Sequence, residues 1–116
     1  MSAKQVALST EIINKLKCLS DQNRKEKHPD WPCNEGFRHG LGVAIHSIRS
    51  TRVKYGLQPA PYAPSSMFIV ALDLLLPRRM SGPWECGYSD GLSFAIFYVR
   101  SVRVRRGLRR RATVAK

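Results

Sequence analysis

The chain has 116 residues, 43% of them hydrophobic, and sets 20 Lys and Arg against 8 Asp and Glu for a formal net charge of +12. That length has room for one compact core, and the excess of cations favours an anionic partner such as nucleic acid, a membrane surface or an acidic protein face, with binding ahead of catalysis. Three cysteines (Cys18, Cys33 and Cys86) with no C-x-x-C spacing exclude a disulfide framework and a zinc ribbon, which points to a reducing, cytoplasmic setting.

Ser2 and Gln5 are spaced as a capping box, and Leu8, Ile12, Leu16 and Leu19 recur at helical intervals, which predicts an amphipathic first helix ending near Ser20. The opening residues lack a long apolar stretch and a small-residue cleavage site, so no secretory signal is read there. Residues 21–32, DQNRKEKHPDWP, are polar and contain two prolines, and predict a solvated loop. Next come Phe37, Leu41, Ala44, Ile45 and Ile48 on one helical face, with Asn34 placed as an N-cap.

The stretch 58–66, QPAPYAPSS, predicts an extended connector, and Ser65 or Ser66 caps a helix from Met67 to Leu76 that is apolar all round and is therefore placed centrally. That apolar run is ten residues long and contains Asp73, well short of the ~20 needed to cross a bilayer. A last helix follows with Tyr88, Leu92, Ala95, Ile96 and Val99 at the spacing already seen.

Residues 40–57, GLGVAIHSIRSTRVKYGL, and 91–108, GLSFAIFYVRSVRVRRGL, align without a gap and agree at ten of eighteen positions. Upstream, Gly36 and Phe37 match Gly87 and Tyr88, and a Trp and a Cys precede each copy: Trp31 and Cys33, then Trp84 and Cys86. Both copies end Gly-Leu, as a helix closed by a left-handed glycine does. Such a repeat marks a supersecondary unit that needs its neighbour to bury its apolar face. The expected fold is mostly α: two pseudo-symmetric helical hairpin repeats packed as one small domain. Its parts are a first unit over 1–57, a Pro-rich linker over 58–66, a second unit over 67–108 and an Arg-rich tail over 109–116. The alternative is α+β with Phe94 to Arg105 as a strand, because that stretch is rich in β-branched and aromatic residues and Gly40, Gly42 and Gly91 each cost a helix ~1 kcal/mol.

The basic positions repeat with the apolar ones: Arg49 with Arg100, Arg52 with Arg103, Lys54 with Arg105. They read either as two equivalent cationic clusters for two phosphates or acidic patches, or as last-turn cations that the helix macrodipole favours by ~0.3 to 1 kcal/mol each. Beyond Asp90 there is no acid, while Arg100, Arg103, Arg105, Arg106, Arg109, Arg110, Arg111 and Lys116 follow. A run of that density reads as an arm for nucleic acid or an acidic surface, and arginine favours bidentate phosphate or carboxylate contact. No base-reading motif accompanies it. Tyr55, Phe97 and Tyr98 lie near these positions and read either as stacking platforms for unpaired bases or as core and rim. Trp31 and Trp84 read as anchors of the loops before the repeat helices.

His28, Cys33, His39 and His46 fit no standard zinc spacing, so no metal and no cofactor are expected. No Gly-rich nucleophile elbow or phosphate-cradling loop occurs, so no catalytic residue is assigned and no small-molecule substrate is implied.

The stretch from Glu35 to Arg49, EGFRHGLGVAIHSIR, resembles a helix pattern of small accessory proteins from phages and mobile elements: an aromatic after Gly, then a small residue and Leu, then Ala and Ile at helical spacing. The resemblance implies a non-enzymatic, single-domain partner that binds and blocks or redirects host machinery, including CRISPR effectors and transcription complexes. The residues alone point to a basic binding protein that uses its C-terminal arm to engage nucleic acid or a nucleoprotein complex. The alternative is a phage-type inhibitor of such a complex. Both need no membrane, and exchange of repeats between two chains in an oligomer stays open.

Overall fold

The computed structural model describes residues 8–26, 31–54, 64–79 and 81–106, and among these every regular element is an α-helix. Helix α1 runs Leu8–Glu26, α2 Pro32–Lys54, α3 Pro64–Asp73 and α4 Pro83–Arg105. The stretch from Phe94 to Arg105 is therefore helix, not strand. Its β-branched residues have low helix propensity, but burial of Ile96, Val99 and Val102 on one side of α4 outweighs that preference.

The two repeat helices are alike in extent. Each has 23 residues and opens on a proline, Pro32 or Pro83, where the missing N–H is no loss and the fixed φ suits the first turn. Asn34 accordingly lies inside the first turn of α2 instead of capping it, and the Trp31 carbonyl accepts from the amides of Asn34 and Glu35, at 3.0 Å each. The same principle starts α3 at Pro64, within the expected connector. That helix ends at Asp73, and residues 74–76 form a turn with Leu74 donating to the Val70 carbonyl at 3.2 Å and Leu75 to that of Leu72 at 3.0 Å. The capping-box residues Ser2 and Gln5, the Gly-Leu ends and the arm 109–116 lie outside the described residues.

Helix α1 continues six residues past Ser20 to Glu26. Residues 21–26 contain neither Gly nor Pro, so polarity there marks a solvated face and not a stop. Arg38 of α2 donates to Asn23 Oδ1 at 3.0 Å, and Arg52, further along α2, reaches Ser9 and Thr10 near the start of α1. The two helices thus run antiparallel as a hairpin.

Helices α2 and α4 form the most extensive contact and run in the same direction. A Cβ on Gly36 would lie 2.0 Å from the Trp84 carbonyl oxygen, and one on Gly87 would lie 2.0 Å from that of Cys33. Further along, a Cβ on Gly40 would meet the Tyr88 oxygen at 2.4 Å, and one on Gly91 would meet the Phe37 oxygen at 2.5 Å. Adding 51 to each residue of α2 gives its partner's counterpart: 36 to 87, 40 to 91, 33 to 84, 37 to 88. The contact is pseudo-twofold, built on two copies of G-x-x-x-G whose missing side chains let backbone meet backbone. Gly40 and Gly91, which burden an isolated helix, are required here. A Cβ on Gly42 would meet nothing within 4 Å beyond its own helix, so this glycine keeps only the burden.

Below the glycines the same faces continue as Leu41, Ala44 and Ile48 on α2 and Leu92, Ala95, Ile96, Val99 and Val102 on α4, all buried. Helix α1 adds Ile12, Ile13 and Leu16, and α3 adds Phe68 and Leu72. Each fully buried Leu, Ile or Val contributes roughly 1.5–3 kcal/mol, so the α2–α4 seam and its two flanking helices form one core. Helix α3 is a flank and not a centre: it packs against both α2 and α4, yet Val70 and Leu74 are 48% and 80% exposed. No helix of the described residues is long and apolar enough to cross a membrane.

Candidate functional site

The basic residues singled out by the repeat divide into two sets according to what they touch. Glu11, in the first turn of α1, accepts from Arg105 Nη1 at 2.7 Å and from Arg106 Nη2 at 2.6 Å. Arg52 donates to Ser9 Oγ and to Thr10 Oγ1, both at 3.2 Å. The C-terminal turns of both repeat helices therefore close on the start of α1. Partial burial acts to raise the Glu11 carboxyl, but the hydrogen bonds and charges of Arg105 and Arg106 outweigh it and hold the group below its ordinary value of 4.5. The Arg105 guanidinium is raised, first by its hydrogen bond to Glu11.

Arg49 and Arg100 form the second set. They occupy equivalent positions, one on each repeat helix, and both are exposed. Arg103 is half-buried, and Lys54 closes α2. Arg109, Arg110 and Arg111 lie outside the described residues. Of the expected cationic clusters, then, Arg52, Arg105 and Arg106 are joined to α1, while Arg49 and Arg100 face solvent.

Aromatic residues gather in two places on α4. Trp84 and Tyr88 stack at 5.4 Å, and His39 of α2 lies against both, 5.2 Å and 5.6 Å between ring centres. Trp84 therefore sits inside the first turn of α4 and packs across the seam, whereas Trp31 stands just before α2 and is 58% exposed. The two tryptophans are not equivalent anchors, because the gapless register pairs Trp84 with Cys33. On the outer side of α4, Phe94 and Tyr98 stack at 6.4 Å and Phe97 leans on Phe94 at 6.3 Å.

Ser81 donates its amide and its hydroxyl to Glu85 Oε1 ahead of α4, the amide at 2.9 Å, and these hydrogen bonds lower the Glu85 carboxyl. Cys18, Cys33 and Cys86 are free thiols at the surface. Among the described residues no three of His, Cys, Asp and Glu gather as ligands for a metal ion.

Glu11 is the functional neighbour that sequence reading missed. It is the first acid in the chain, next to Ser9 and Thr10, but its partners are more than 90 residues away and no local pattern signals them. No protein-family model, curated protein or solved structure matches this chain.

Proposed function

We propose that this protein is a small non-enzymatic binding protein that engages nucleic acid or a nucleoprotein complex through its C-terminal basic segment. The observation that carries the reading is the charge imbalance after Asp90: eight cations follow and no acid. Glu11 supplies one negative charge against two of them, Arg105 and Arg106, so the clasp leaves most of the excess uncompensated. Arg100 on α4 and Arg49 on α2 present exposed guanidinium groups for phosphate, and Arg109, Arg110 and Arg111 extend the segment in sequence.

Binding of this kind releases counterions from the nucleic acid, so affinity falls steeply as salt rises. The test is titration of a labelled duplex and a labelled single strand at several salt concentrations. A linear fall of log affinity with log salt is expected, with the slope reduced by deletion of residues 109–116. Affinity that is flat in salt would exclude phosphate contact.

A second reading is a phage-type inhibitor that binds and blocks a nucleic-acid-processing host complex such as a CRISPR effector. It is favoured by the exposed apolar side chains Val70, Leu74 and Leu75 at the end of α3. Under it, deleting residues 109–116 spares capture of the protein partner.

A further inference from the structure

We propose that the outer face of α4 around Phe97 is a base-stacking platform, which makes the ligand single-stranded nucleic acid in preference to duplex, with Arg100 holding a phosphate beside the stacked base. The proposal rests on the nucleic-acid reading above and narrows it to one site and one ligand form.

Phe97 is 63% exposed, whereas Phe94 and Tyr98 pack against the core while stacking on each other. Phe94 thus braces the Phe97 ring from one side, with 58° between the planes, and leaves its other side to solvent. Arg100 is exposed three residues further on, which places it next to Phe97 on the helix surface.

The repeat supplies an internal control for what the fold requires. Subtracting 51 from 94, 97 and 98 gives Val43, His46 and Ser47 on α2, while Arg100 maps onto Arg49. Helix α2 has the same length and the same packing against its twin with no phenyl or phenol ring at these positions, and the exposed imidazole of His46 stands where Phe97 does, away from the seam. The ring at 97 therefore answers to no demand of the helix seam, and its apolar surface stands in water beside an exposed cation. Purine and pyrimidine rings offer a flat partner to such a ring only when unpaired and unstacked, because in duplex both faces of every internal base are covered. The anion that travels with each base matches Arg100.

The full-length chain is titrated with a fluorescein-labelled oligothymidylate and with a mixed-sequence duplex of equal length. The Phe97→Ala variant is expected to lose about tenfold in affinity for the single strand, with duplex affinity and the salt slope unchanged. Phe97→Tyr retains wild-type affinity, and Phe97→Leu, which keeps apolar area but not the ring plane, behaves like Phe97→Ala. Because the side chain is mostly in water, thermal melts of all three variants should overlay the parent. An unchanged single-strand affinity in Phe97→Ala, an equal loss on duplex, or a Phe97→Leu variant indistinguishable from the parent would each overturn the platform while leaving the basic-segment reading intact. A parent chain that binds neither oligonucleotide overturns both. Loss of a protein partner from nuclease-treated lysate in Phe97→Ala, with oligonucleotide binding intact, reassigns the face to protein and overturns the platform too.

Discussion

Helices α2 and α4 share their length, their opening proline and their glycine spacing, yet differ in what they show to the outside. Positions that agree between them, Gly36 with Gly87, Gly40 with Gly91, Leu41 with Leu92 and Ala44 with Ala95, are the ones that meet at the seam. Of the positions that differ, Val43, His46 and Ser47 against Phe94, Phe97 and Tyr98 lie away from the glycines, whereas Trp84, the counterpart of Cys33, packs against His39 across the seam. A twofold contact constrains both helices at once, because each glycine must admit the backbone of the other. The outer faces carry no such mutual constraint, and there the two copies differ in sequence.

The sharpest way to break this comparison is to fill the seam. Gly36→Ala and Gly87→Ala each place a methyl 2.0 Å from a backbone oxygen, which only separation of the helices relieves. Overpacking usually costs about 1–3 kcal/mol. Because the clash here is with backbone, about 3 kcal/mol or more is expected for each variant, and equal losses within about 0.5 kcal/mol by urea denaturation. Markedly unequal losses would sink the pseudo-twofold description.

A second glycine substitution tests the opposite sign. Gly42 faces open space in a helix interior, so Gly42→Ala should stabilise the protein by about 0.5–1 kcal/mol through helix propensity and reduced freedom of the unfolded chain. A destabilised Gly42→Ala would show that something covers this position.

The clasp on α1 predicts the smallest effect and a pH dependence. Glu11 has a lower pKa folded than unfolded, so the folded state binds fewer protons, and its contribution is present above 4.5 and lost as pH falls below that value. Glu11→Gln should lower stability slightly at neutral pH, as expected of a surface pair, and flatten the loss of stability on acidification. Melts of parent and variant that stay parallel from neutral pH down to about pH 3 would show that the pair contributes nothing.

Much of this was legible in one dimension. The 51-residue offset could be read by laying the chain on itself, and the apolar periodicity of Leu41, Ala44 and Ile48 against Leu92, Ala95 and Val99 gave helices and their buried faces. The ends were harder. Asn34 looked like a cap because its side chain suits one, but Pro32 two residues earlier is better suited to a first turn, and the polar run after Ser20 hid a helix because solvation and helix formation are compatible. Helix α3 was misplaced for a related reason: an apolar circumference suggests burial on all sides, but among the described residues its main partners are α2 and α4, and Val70 is 48% exposed.

By itself the sequence determined four helical segments, two of them copies, and a strongly basic C-terminal end, because periodicity, repetition and charge are all local properties of the chain. Tertiary structure alone decided which glycines are indispensable and which are a burden, since Gly40 and Gly42 are alike until another backbone lies against one of them. It also decided which arginines are tied to α1: Arg100 and Arg105 are five residues apart on one helix, but only Arg105 reaches Glu11, a residue 94 positions away in the chain.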